Sequence, residues 1–146
     1  MFGGWDEDRI LKGEEIKWHP VIDKLFWSLK LDDVKVGNKS LGICDKRDCM
    51  FTPDSGTSQL CMPDWAFDMW KRSEWYGEEP CEVGGETKRP ELTFVINGVD
   101  YSIPSHHWNE RTVLDEENGT CSPTISPLTI HQPGQENLFI IGDLFM

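Results

Sequence analysis

Phe51-Thr52-Pro53-Asp54-Ser55-Gly56-Thr57-Ser58 is the stretch on which the fold turns. An aspartate at the tip of a strand, followed by small hydroxyl residues around a glycine, places a carboxylate in a tight loop. There, hydroxyls and backbone N–H groups can bond its oxygens and fix its orientation. Gly56 permits the close backbone approach that such a loop needs. Asp, Ser, Gly and Thr are ordinary turn formers, so the meaning of the string rests on what flanks it.

Just upstream, Cys44 and Cys49 enclose a short charged loop, and before that Leu25 to Val36 alternates. Trp27, Leu29 and Leu31 take one face there, and Ser28, Lys30 and Asp32 the other, the period of a half-buried strand ending at the turn Gly37-Asn38. Downstream, Pro63 to about Arg72 reads as a short helix. Pro63 suits its first turn, Asp64 favours the positive end of its dipole, and Trp65 with Met69 and Ala66 with Trp70 form i, i+4 pairs. Leu92, Phe94 and Ile96 alternate up to Asn97-Gly98, and Val99, Tyr101 and Ile103 alternate beyond it. Asn-Gly accepts the positive φ angles of a two-residue hairpin turn. Segments 80–90 and 115–134, rich in Gly, Pro, Ser, Thr and charge, read as loops. Leu138 to Ile141 is an apolar run that stops at Gly142-Asp143, and the chain ends at Met146 as though a buried strand were cut off in mid-course.

The 146 residues have the length of one domain with a core of its own. With 26 Asp and Glu against 14 Lys and Arg, the net charge of -12 repels a phosphate backbone and argues against nucleic acid as a partner. That charge shrinks as carboxylates protonate and the four histidines charge, which fits work in an acidic compartment. No apolar run reaches the length of a membrane span, and the start MFGGWDEDRI resembles no signal peptide, which taken literally argues for the cytosol. The cysteines argue the other way: Cys44 with Cys49, Cys81 with Cys121, and Cys61 left over suit a secreted or lysosomal/vacuolar protein. Two N-x-[ST] sequons, Asn38-Lys39-Ser40 and Asn118-Gly119-Thr120, point in the same direction.

Taken in order, these landmarks resemble the pepsin family of aspartic proteases along nearly the whole chain. Phe2-Gly3-Gly4-Trp5-Asp6 resembles the FGG-x-D segment where the two lobes join, and Trp18-His19-Pro20-Val21 the W-x-P-V strand after it. Cys44 to Cys49 resembles the small disulfide loop before the second active-site motif, and Asp54 to Ser58 resembles that D-[ST]-G-[ST]-S motif. Phe94 to Tyr101 is similar to the F-x-I-x-G-x-x-Y hairpin, Cys81 with Cys121 to the other disulfide of the lobe, and Ile140-Ile141-Gly142-Asp143 to the apolar-apolar-Gly element that backs the catalytic loop.

The resemblance implies an all-β fold: residues 1–146 as the C-terminal lobe of a bilobal acid protease, with one or two short helices and a curved antiparallel sheet packed on a second sheet. The N-terminal lobe of the same full-length chain and the closing strands lie outside it. It also implies aspartic endopeptidase activity on peptide or protein substrates at acidic pH, without metal, cofactor or covalent intermediate. Asp54 becomes one of two carboxylates sharing a proton across the lobes, so the lobe alone is expected to be inactive. Ser55 would bond the opposite loop, Gly56 makes the turn, Thr57 would bond the outer oxygen of Asp54, Ser58 completes the motif, and Ile140 would wall a substrate subsite. Pairing of Cys44 with Cys49 and of Cys81 with Cys121 follows from the same source. Pro53 departs from the aliphatic residue usual before the aspartate and has no N–H for a ladder.

Other features read as packing or surface. Trp27, Trp65 and Trp70 occupy core-like positions rather than a sugar-binding face. His106-His107 lacks the partners of a metal site, and Cys61 reads as a small buried filler. The rival to an enzyme is a non-catalytic module of the same fold that binds peptide or carbohydrate.

Overall fold

The computed structural model describes residues 3–81, 87–113 and 119–146, except for the side chain of Val113. Met1 and Phe2, the first residue of the opening motif, therefore lie outside the described residues, as does Asn118 of the second sequon. The elements run β1 (Leu29–Val36), β2 (Lys39–Ser40), β3 (Cys49–Pro53), β4 (Leu60–Pro63), α1 (Asp64–Trp70), β5 (Glu79–Cys81), β6 (Leu92–Ile96) and β7 (Val99–Ile103). They continue with α2 (Ser105–Trp108), β8 (Asn109–Val113), β9 (Gly119–Pro123), β10 (Ile125–Leu128) and β11 (Leu138–Ile141). The described residues are mainly β with two short helices, as the resemblance implies.

The large sheet has the order β10-β4-β11-β3-β1-β6-β7, with β2 on β1, and a small sheet has the order β5-β9-β8. The expectation of an antiparallel sheet is corrected here. β10 runs parallel to β4, and β11 runs parallel to β3 but antiparallel to β4, so the sheet is mixed. β11 fills the gap between β3 and β4, and its Leu138, Phe139 and Ile141 are almost wholly buried.

The hairpin forms as the Asn-Gly turn dictates. Asn97 and Gly98 have φ of 48° and 76°, and Ile96 pairs with Val99. Helix α1 starts just after Pro63 and presents Ala66 and Trp70 to the core. Trp70 meets Trp108 edge to face at 6.1 Å between centroids, and Phe51, Phe94 and Phe145 form a triangle of edge-to-face contacts that ties β3, β6 and the tail after β11 together.

Two sequence readings fail. Leu25 to Val36 is not one alternating strand: β1 begins at Leu29, and Trp27 stands in a turn at φ 55° with 72% of its surface exposed. A register shift between Leu31 and Asp33 inserts a bulge, so buried Leu31 is followed by buried Val34 and Val36 instead of by Asp33 and Lys35. Trp27 therefore leaves the core, while Trp65 and Trp70 keep contact with it.

The described parts of 80–90 and 115–134 are not all loop either, because β5, β9 and β10 form there. β5 and β10 lie at sheet edges, where Pro80 and Pro127 lack an N–H at little cost. Pairing of Glu79 with Cys121 and the disulfide between Cys81 and Cys121 supply what local propensity does not. Arg89 reinforces this junction from within. Its buried guanidinium donates to Asn109 Oδ1 at 2.8 Å, to the Cys121 carbonyl at 3.2 Å and to the Gly77 carbonyl at 2.7 Å.

Candidate active site

β3 delivers Asp54 to the end of the sheet. Pro53 closes the strand opposite Ile141, and the ladder resumes one residue later, where the Asp54 N–H donates to the Ile141 carbonyl at 3.0 Å. The missing proline donor thus falls where the strand is about to end. Beneath the loop the Ser28 and Thr52 hydroxyls bond each other at 2.8 Å in the buried layer, joining the start of β1 to β3.

Both carboxylate oxygens of Asp54 are held from within its own loop. Oδ1 accepts the Gly56 N–H at 2.9 Å and Oδ2 accepts the Thr57 hydroxyl at 2.7 Å. The Thr57 N–H closes the turn on the Asp54 carbonyl at 3.1 Å. A Cβ at position 56 would lie 3.2 Å from Oδ1, so the glycine leaves the carboxylate its room. The Thr57 hydroxyl, and after it the Gly56 N–H, hold the Asp54 carboxyl below its ordinary range, with burial opposing them. No charged group contributes to that shift among the described residues.

The loop is braced from the far end of the sequence. Gly142 N–H donates to the Gln59 carbonyl at 3.0 Å and Asp143 N–H to the Thr57 carbonyl at 2.9 Å. The backbones approach so closely that a Cβ at position 142 would lie 2.0 Å from the Thr57 oxygen. This is a place for glycine because of space alone, since Gly142 is not among the glycines of positive φ. The sequence marks Gly142 as the end of an apolar run. What it does not disclose is which backbone that glycine lies against.

Ser55 and Ser58 are exposed, and the bonds to Asp54 come from Gly56 and Thr57 instead. Ile140, partly exposed, lies between Thr52 and Cys61 across two ladders. Cys61 is half-buried rather than fully packed away, and burial, then the charge of Asp54, push its thiol up. The exposed His106 and His107 belong to α2, away from this loop in the chain. Two residues that sequence reasoning passed over take part in the site's framework: Ser28, through Thr52, and Gln59, through its carbonyl.

A family model described as eukaryotic aspartyl protease matches residues 1–146. The chain belongs to that family. This aspartyl protease chain is 31% identical over 152 aligned residues to gastricsin of Mus musculus, with all of the chain aligned to 37% of that protein. It is 28% identical to cathepsin E-B of Xenopus laevis, covering 100% of the chain and 36% of the relative. Against pepsin B of Canis lupus familiaris the identity is 27%, over 90% of the chain and 34% of the relative. The aspartyl protease chain thus spans little more than a third of the length of these relatives.

Proposed function

We propose that this chain is the C-terminal lobe of a bilobal aspartic endopeptidase, and that Asp54 is one of the two carboxylates that activate water against a peptide bond. The observation that supports this most is the Asp54 loop itself: a partly exposed carboxylate whose two oxygens each take one hydrogen bond from Gly56 or Thr57, clamped from beneath by Gly142 and Asp143. Such local bonds also occur in structural Asx turns, but together with the clamp from the far end of the chain they give the preset orientation that a group taking a proton from water at a fixed angle needs.

In this reading the partner carboxylate comes from the N-terminal lobe of the full-length chain, and the 146 residues alone do not turn over substrate. Two carboxylates brought close cannot both ionise, so the pair shares one proton and titrates as a unit. The bonds from Thr57 and Gly56 favour the charged form of Asp54. Asp54 is thus suited to take a proton from the attacking water while its partner, protonated, polarises the scissile carbonyl. Ser55, exposed at the tip of the loop, is free to bond the facing loop, and Ile140 offers an apolar wall to a substrate side chain. Trp5, Trp18 and Trp27, all largely exposed, supply apolar surface for packing of the missing lobe. Relatives of gastricsin and cathepsin E type, together with the two disulfides, support a secreted or lysosomal setting.

The test is Asp54→Asn in the full-length protein. Acid proteolysis of a denatured protein substrate disappears while circular dichroism and melting stay unchanged; substantial turnover by the folded variant would falsify the assignment. Should the unaltered full-length protein bind peptides or glycans yet cleave none, the non-catalytic module takes its place.

A further inference from the structure

We propose that Asn38 carries an N-linked oligosaccharide. This rests on the secretory setting inferred above and not on the proteolytic one. Asn38-Lys39-Ser40 is an acceptor sequence with a hydroxyl at its third position and no proline in the middle. In the folded chain it occupies the turn between β1 and β2, and its asparagine side chain borders solvent, with Lys39 and Ser40 exposed beside it. The positive φ of this turn, 56°, falls on Gly37, so Asn38 is not needed for the backbone. Among the described residues no hydrogen bond engages its side-chain amide. An asparagine without a structural role, beside a two-residue edge strand, can be modified while every internal hydrogen bond of the fold stays in place.

There is also room for the sugar. A groove of about 650 Å³ opens beside the turn, lined by Lys39, Ser40, Leu41 and, across from them, Glu74 and the half-buried Trp75, with a 2.6 Å ion pair between Lys39 and Glu74. Its mixture of indole, aliphatic and charged groups suits the apolar faces and hydroxyls of a glycan core. The turn lies at the opposite end of β1 from the site: Leu29 pairs with Phe51, three residues before Asp54, and Val36 is seven residues farther on. At strand rise this separates Asn38 from the catalytic end of the sheet by roughly 23 Å, so a glycan there does not cover the Asp54 loop. It would instead shield the short exposed edge of β2 from pairing with other chains.

The other sequon differs. Gly119 and Thr120 belong to β9, which is paired on both sides, and Arg111 packs so closely on Gly119 that even a Cβ would collide with it. We propose nothing for Asn118.

The experiment is translation of the full-length chain behind a supplied signal peptide into microsomes. With Asn118→Gln in the background, one glycosidase-sensitive mobility step is expected beyond any that the Asn38→Gln chain retains. It should vanish with Asn38→Gln or Ser40→Ala and persist with Ser40→Thr. A lumen-protected, disulfide-bonded product without that step overturns the proposal and leaves the compartment untouched. A wrong compartment shows itself separately, as native full-length protein fractionating with the cytosol.

Discussion

Gly142→Ala is the sharpest probe of how the Asp54 loop is held. The added Cβ would meet the Thr57 carbonyl oxygen at 2.0 Å, its carbon at 2.6 Å and the Gln59 carbonyl oxygen at 2.7 Å, all of them backbone atoms that cannot rotate aside. Restoring an ordinary separation of about 3.5 Å from the Thr57 oxygen means moving one backbone against the other by about 1.5 Å. A shift of that size breaks the bonds from Gly142 N–H to Gln59 and from Asp143 N–H to Thr57. Each is worth about 1 kcal/mol net, and carbonyls left unsatisfied add to this, giving a loss of about 2–4 kcal/mol. For a unit of this size that corresponds to a fall in Tm of roughly 5–15 °C. Because Thr57 also carries the hydroxyl that orients Asp54, kcat should drop more than KM rises. Calorimetry and steady-state kinetics on the full-length protein provide the readouts. Gly134→Ala is the control: its φ of 86° makes alanine strained, yet open space surrounds it, so kcat should not move. A Gly142→Ala protein that melts within about 1 °C of the parent with undiminished kcat would refute the close-approach argument.

Thr57→Val removes the main cause of the lowered Asp54 pKa. A depressed folded value contributes stability that is present above the unfolded value, near 3.8, and is lost as pH falls through the folded one. The variant should therefore lose that contribution and shift the acid limb of kcat/KM to higher pH; an acid limb that stays in place contradicts the assigned bond. Cys61 should react with iodoacetamide more slowly than an unperturbed thiol at pH near 8, and faster once Asp54→Asn removes the neighbouring charge, as mass spectrometry can follow. Equal rates in both backgrounds would separate Cys61 from Asp54. Trp108→Ala, at a fully buried ring stacked edge to face on Trp70, should cost about 3–5 kcal/mol in denaturant unfolding, and a loss below about 1 kcal/mol would mean the core does not depend on it.

Much of this architecture is readable where the code is local. Asn97-Gly98 specifies its hairpin because those two residues alone supply the turn's positive φ angles. Pro63-Asp64 starts α1, and the loop of Asp54 to Thr57 makes its own bonds over two and three residues. The failures lie where pairing is distant. Nothing in Leu25 to Val36 announces the bulge that re-phases β1, because it appears only when β6 lies alongside. Pro80 and Gly119 read as loop until an edge position and a disulfide 40 residues apart in sequence make them strand.

The sequence alone, then, determined the family landmarks, the hairpin, the helix and the tight loop of Asp54 with the hydroxyl that bonds it, since each depends on residues close together in the chain. Only the tertiary structure decided that β11 inserts between β3 and β4, that Gly142 clamps the Asp54 loop from the far end of the chain, and that Trp27 faces outward. Those features are set by register and by the space between backbones, and neither exists until distant strands meet.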